Sequence, residues 1–131
     1  MNITIDTSAI VAVITNESSK GQIITATKGA SLIAPDSIHW EIGNAFSSMF
    51  KRKLISFEQA INTLNIYETI AIRFVDIDMK QALALSNQFG IYAYDAYIVE
   101  CASKYKTPLL TLDHQLMDLS TKYGIDVIRI D

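Results

Sequence analysis

The chain has 131 residues, half of them hydrophobic, with 11 Lys and Arg against 14 Asp and Glu and a formal net charge of −3. That length suits one domain over residues 1–131, and the apolar share is enough to fill a core, which excludes intrinsic disorder. Only 5 Gly and 2 Pro argue against a turn-rich all-β fold, and the acidic balance, taken at face value, argues against a generic nucleic-acid binder.

Asn2 to Ile5 is a short β-branched strand ending at Asp6, and Thr7 or Ser8 is placed to cap a helix from Ala9 to Ile14. Ser18 or Ser19 opens a second helix, Lys20 to Lys28, stopped by Gly29. Ser31 to Ala34 reads as the second strand. Ile38, Ile42, Ala45, Phe46 and Met49 then recur at helical spacing, in a helix reaching Lys53. Ser56 and Gln59 form a capping-box pattern for a helix to Glu68. Arg73 to Asp76 is a third strand, followed by a helix from Asp78 to Phe89 with Gly90 as its stop. Tyr94 to Tyr105 is helical, Pro108 to Thr111 a fourth strand, Asp113 to Tyr123 a helix, and Asp126 to Arg129 a fifth strand. Short apolar strands alternating with helices predict an α/β fold, a parallel sheet with helices covering both faces.

A lone cysteine, Cys101, sits in a helical apolar pattern, so it reads as a buried small hydrophobe and builds neither a disulfide nor a zinc site. The N-terminus has no basic region of the signal-peptide kind, and the apolar run Ala9 to Ile14 is far short of the ~20 residues of a membrane span. The expected compartment is the cytoplasm, with no membrane partner.

Four acids fall where the pattern calls for other residues. Asp6 and Asp113 follow the first and fourth strands, at the strand ends where open parallel sheets place ligands, although either alone reads equally as a helix cap. Glu41 lies on the shoulder of the Ile38–Ile42 stripe, and Asp95 shares a face with Ile98, Val99 and Ala102 in the first turn of its helix. Crowding four carboxylates is costly without protons or cations. Oxygen-only ligands suit Mg²⁺ or Mn²⁺, and such ions acidify water and hold a phosphate for in-line displacement.

The blocks Asp6-Thr7-Ser8-Ala9, Glu41-Ile42-Gly43-Asn44-Ala45, Tyr94-Asp95-Ala96-Tyr97 and Leu110-Thr111-Leu112-Asp113 resemble the signature blocks of PIN-domain nucleases, nearest to toxins of the VapC type. The resemblance runs over essentially the whole chain. It implies a five-stranded parallel sheet between helices, a divalent-metal-dependent endoribonuclease acting on RNA, a small antitoxin partner and a homodimer. It also assigns Asp6, Glu41, Asp95 and Asp113 as the catalytic, metal-holding quartet, with Ser8 and Thr111 as supporting hydroxyls and Asn44 as an accompanying polar position.

Other residues carry less. His39 and His114 lack the spacing of a zinc pair, and His114 reads as a solvated helix-start residue. Lys51-Arg52-Lys53 suits the negative end of its helix as well as a phosphate contact. Tyr92, Tyr94 and Tyr97 suit packing as well as base stacking, and Trp40 points away from the apolar stripe, toward a second interface or a partner. Two rival functions stand beside the nuclease: a PIN-like interaction module with a structural metal, and a phosphatase using Asp6 as nucleophile. The second wants an acid at position 8, where this chain has Ser. Removing the quartet from the 14 acids leaves 10 against 11 bases, so the net charge says little about partners.

Overall fold

In the computed structural model, which describes residues 1–130, β1 (Asn2–Ile5), β2 (Ser31–Ala34), β3 (Ile72–Phe74), β4 (Leu109–Leu110) and β5 (Val127–Ile128) form one sheet. Its order is β3-β2-β1-β4-β5, and every neighbouring pair is parallel. Among the described residues seven helices connect and flank the strands: α1 (Thr7–Ile14), α2 (Lys20–Thr27), α3 (Ser37–Lys51), α4 (Phe57–Thr69), α5 (Met79–Phe89), α6 (Ala93–Tyr105) and α7 (His114–Lys122). Successive residues of a strand point to opposite faces, yet Ile3, Thr4 and Ile5 are all buried, so both faces of the central strand are covered. The expected α/β architecture is what the chain adopts.

The strand order fixes where a site can lie. From β1 the chain winds outward through β2 and β3, then crosses back to β4 on the other side of β1 and continues to β5. The carboxyl ends of β1 and β4 therefore flank the reversal, where their connections diverge and leave a crevice. Beneath it the core is aliphatic. Ile10 on α1, Ile38 and Ile42 on α3, and Ile98 and Val99 on α6 are at most 1% exposed. Truncating one of these isoleucines to Ala costs about 2–5 kcal/mol.

Local signals explain most element ends. Ser56 Oγ accepts from Gln59 N and Gln59 Oε1 accepts from Ser56 N, at 3.1 and 2.9 Å, completing the capping box of α4. Gly29, Gly90 and Gly124 take positive φ where their helices stop. The structure corrects the sequence at the margins. The N-cap of α1 is Asp6 rather than Thr7 or Ser8, because the Asp6 carbonyl accepts from Ala9 N and Ile10 N while the Ser8 hydroxyl is used elsewhere. Helix α3 stops at Lys51, and Lys53 turns to positive φ. The third strand is Ile72–Phe74, ending two residues before Asp76, and β4 and β5 are two residues each instead of four.

Candidate active site

Asp6, Glu41, Asp95 and Asp113 come from four segments and line one cleft of about 590 Å³ at the β1–β4 crevice. Asp6 is the most enclosed of them, 6% exposed at the end of β1, and its N–H donates to Leu110 O, tying it to β4. Although its backbone caps α1, its carboxylate makes no cap hydrogen bond. Instead Oδ2 accepts from Ser8 Oγ at 2.8 Å and from Thr111 Oγ1 at 2.7 Å. Those hydroxyls in turn accept from the backbone: Ser8 from Leu112 N at 3.0 Å, Thr111 from Asp113 N at 3.1 Å. Each hydroxyl has a single hydrogen, and each spends it on Asp6, so the carboxylate is held in one orientation. The 3.2 Å approach of the two hydroxyl oxygens is then a contact rather than a third bond.

Asp113 divides its carboxylate between two tasks. Exposed at the N-cap of α7, its Oδ1 accepts from Gln115 N and Leu116 N at 2.9 and 3.3 Å, so the capping role open from sequence is real, and the same residue also borders the cleft. Asp95 enters from the first turn of α6, half-buried. Burial, then the charges of Asp6 and Asp113, raise its pKa above the usual aspartate range, against the pull of the helix N-terminus.

Glu41 is the strained member. It projects from α3 beside Asn44, which also lines the cleft. Burial pushes its pKa up to about 7, reinforced by Asp6 and then Asp95, with the nearby Thr7 hydroxyl opposing the rise. No well-formed hydrogen bond joins them, since Glu41 Oε1 and Thr7 Oγ1 are both buried without a partner. A buried carboxylate oxygen with no donor, facing two other acids, is an arrangement that calls for a cation.

The donor set fits a hard divalent ion, being all oxygen and able to leave coordination positions to water. Among the described residues, no three acidic or histidine side chains already close around one point as a ligand group. The four acids line the cleft wall instead.

The cleft also includes Thr7, read from sequence only as a helix cap, and Glu17, which sequence reasoning did not single out because a surface acid on the loop after α1 carries no signal. His114, Trp40 and Lys51 to Lys53 are exposed and are not among the cleft's lining. His39 serves packing: its Nδ1 meets the Tyr67 hydroxyl at 2.7 Å and its ring lies 4.3 Å from that of Phe74. Cys101 is buried as expected, and burial pushes its thiol up to about 11.

Residues 3–122 match the model of the PIN domain. The chain belongs to that family. This PIN domain is 30% identical over 123 residues to ribonuclease VapC3 of Pyrobaculum aerophilum, covering 90% of this chain and 94% of the relative. Among solved structures it superposes on PAE2754 from Pyrobaculum aerophilum with a TM-score of 0.72 at 20% identity, over 97% of this chain and 84% of the other. It superposes on VapBC2 from Rickettsia felis, solved bound to a DNA fragment from their promoter, with a TM-score of 0.71 at 17% identity, over the full length of both chains. At those identities the structural likenesses establish the fold.

Proposed function

We propose that this PIN domain is a divalent-metal-dependent endoribonuclease and the toxin of a toxin–antitoxin pair. The observation that carries the reading is the cleft itself: four carboxylates from four segments, with Glu41 Oε1 buried and unpartnered among them. Asp6, Glu41, Asp95 and Asp113 would hold Mg²⁺ or Mn²⁺. Such an ion, when bound, offsets the crowded negative charge, acidifies water and orients a phosphate for in-line displacement.

The chain's own residues prepare that chemistry. Ser8 and Thr111 donate to Asp6 and favour its ionised form in a fixed orientation. Glu41, poised near neutrality, gives up its proton once its charge is compensated. Ser8 has its hydrogen committed to Asp6, so it is not set up as a nucleophile. In this reading water is the attacking group and the RNA 2′-hydroxyl a bystander, which would give 5′-phosphate and 3′-hydroxyl ends.

The VapC3 relative, a ribonuclease by name, supports RNA as the substrate, and the VapBC2 structure supports a small antitoxin partner. A homodimer and a cytoplasmic location belong to the same reading. Among the described residues no helix is long and apolar enough to cross a membrane.

Incubation with total RNA, with Mg²⁺ or Mn²⁺ and then with EDTA, followed by mapping of the cut ends, tests it. Cutting that EDTA leaves unchanged, or 2′,3′-cyclic ends, would overturn it. The rival is an interaction module in which the same acids hold a structural metal without catalysis. Cellular toxicity that survives Asp6→Asn would favour that rival.

A further inference from the structure

A second pocket, of about 310 Å³, shares Asp95 with the acid cleft. It lies between the α5–α6 corner and α7, and of its other residues only Gln115 and Leu116 touch the acids above, through backbone N–H groups that donate to Asp113. Phe89, Ile91 and Leu119 supply apolar walls, while Gln115, Asp118 and Lys122 supply polar groups from α7. With Leu119, those three recur at i, i+3, i+4 and i+7, one face of the helix.

The pocket is preformed. Gly90, at φ 66°, reverses the chain between Phe89 and Ile91, and Ser86 Oγ donates to Ile91 O at 2.6 Å across that corner. Tyr123 meets the Phe89 ring edge-on, with centroids 6.1 Å apart. Helix α7 links this pocket to the cleft, because its N-cap is Asp113. Asp118 lies five residues further on, about 7.5 Å along the axis at ~1.5 Å per residue, which is a single nucleotide's reach.

The size is at the low end for ligand pockets, ~300–1,000 Å³, so it suits one heterocycle and not a duplex. The apolar walls of Phe89, Ile91 and Leu119 suit the flat base of a nucleotide better than its phosphate. An unpaired RNA base stacks on an aromatic ring and is read along its Watson–Crick edge, and Phe89 provides such a ring.

The polar groups select among bases. A carboxylate only accepts, and guanine alone presents two adjacent donors, N1–H and the N2 amino group, to receive it. Its neighbouring O6 accepts from the Gln115 amide or the Lys122 ammonium. Adenine and cytosine place a ring acceptor beside their amino donor, and uracil flanks its one N–H with two carbonyls, so each sets an acceptor against Asp118. The geometry points to a guanine-selective subsite for an unpaired nucleotide next to the scissile phosphate. It rests on the nuclease reading of the adjoining cleft.

Two measurements test it separately from that reading. Guanosine, adenosine, cytidine and uridine are titrated into ¹⁵N-labelled protein without divalent cation. Guanosine is expected to bind about tenfold more tightly than the others and to shift the amides of residues 89–91 and 115–122, and Asp118→Asn to erase the preference. Equal binding of guanosine and adenosine, or shifts confined elsewhere, would overturn the subsite. Cut-site mapping should then place unpaired guanine beside the cuts for the native protein and spread them for Asp118→Asn, which retains cutting. Metal-dependent cutting with no guanine bias overturns the subsite and leaves the nuclease reading standing. Guanosine binding at this pocket with no RNA cut in Mg²⁺ or Mn²⁺ overturns the nuclease reading instead.

Discussion

Glu100 and Glu41 both carry a carboxylate into the protein, and their surroundings treat it in opposite ways. Glu100, on α6, is only 6% exposed, but its Oε2 accepts from Asp78 N at 2.9 Å, just ahead of α5. Glu41, on α3, is less enclosed, yet its Oε1 has no partner, it faces Asp6 and Asp95, and its pKa climbs to about 7. Helix α6 carries both kinds of acid, Asp95 at its start in the cleft and Glu100 further along against the α5 N-terminus. Depth of burial therefore does not mark the site. Glu41 differs instead in having a buried carboxylate oxygen left without a donor among like charges.

Mutations at the two kinds of acid separate their roles. The largest effect is expected for Asp6→Asn, which keeps the shape but removes the charge at the centre of the cleft. RNA cleavage should fall by more than ~100-fold, beyond the ~10–100-fold typical of losing a supporting partner, with the melting temperature nearly unchanged. Thr111→Val comes next. It removes one of two donors to Asp6 Oδ2, and cleavage measured on a single defined RNA should drop ~10–100-fold. If Thr111→Val cleaves at the native rate, the hydroxyl relay has no role in orienting Asp6.

Glu41 predicts a pH effect whose sign differs from ordinary acid unfolding. Its carboxyl titrates near 4.5 when unfolded and near 7 when folded, so between those values the folded state holds an extra proton. The stabilisation is fully present below 4.5 and is lost as pH rises through 7. Thermal melts of metal-free protein should show melting temperature falling from pH 5 to 8, and Glu41→Gln should flatten that slope. A slope unchanged by Glu41→Gln would contradict the assignment. The smallest effect on cleavage belongs to Glu100→Ala. It strands the Asp78 N–H and should cost about 1–3 kcal/mol in denaturant unfolding, with the cleavage rate per folded molecule unchanged.

The sequence made the fold legible because its signals are local. The β-branched and leucine-rich strands alternate with amphipathic helices, and Gly29, Gly90 and Gly124 mark stops that need positive φ. It also named the four cleft acids, since Asp6 and Asp113 follow strands on either side of the topological reversal and Glu41 and Asp95 sit against apolar stripes. What it missed depends on contacts distant in sequence. Glu100 gave no signal because its partner is the Asp78 backbone, 22 residues away. β4 and β5 are shorter than their apolar runs because pairing with the neighbouring strands, rather than propensity, decides where a ladder stops. Glu17 reached the cleft through the turn after α1, which no periodicity describes.

In the proposed function Asp6, Glu41, Asp95 and Asp113 act together to hold a divalent cation, while Glu100 does not. Calorimetric titration of Mg²⁺ or Mn²⁺ above pH 7 tests this most directly. Saturable binding is expected for the native protein, with its loss in Asp6→Asn and Glu41→Gln and its retention in Glu100→Gln. Binding absent from the native protein, or undiminished in Asp6→Asn and Glu41→Gln, would contradict it.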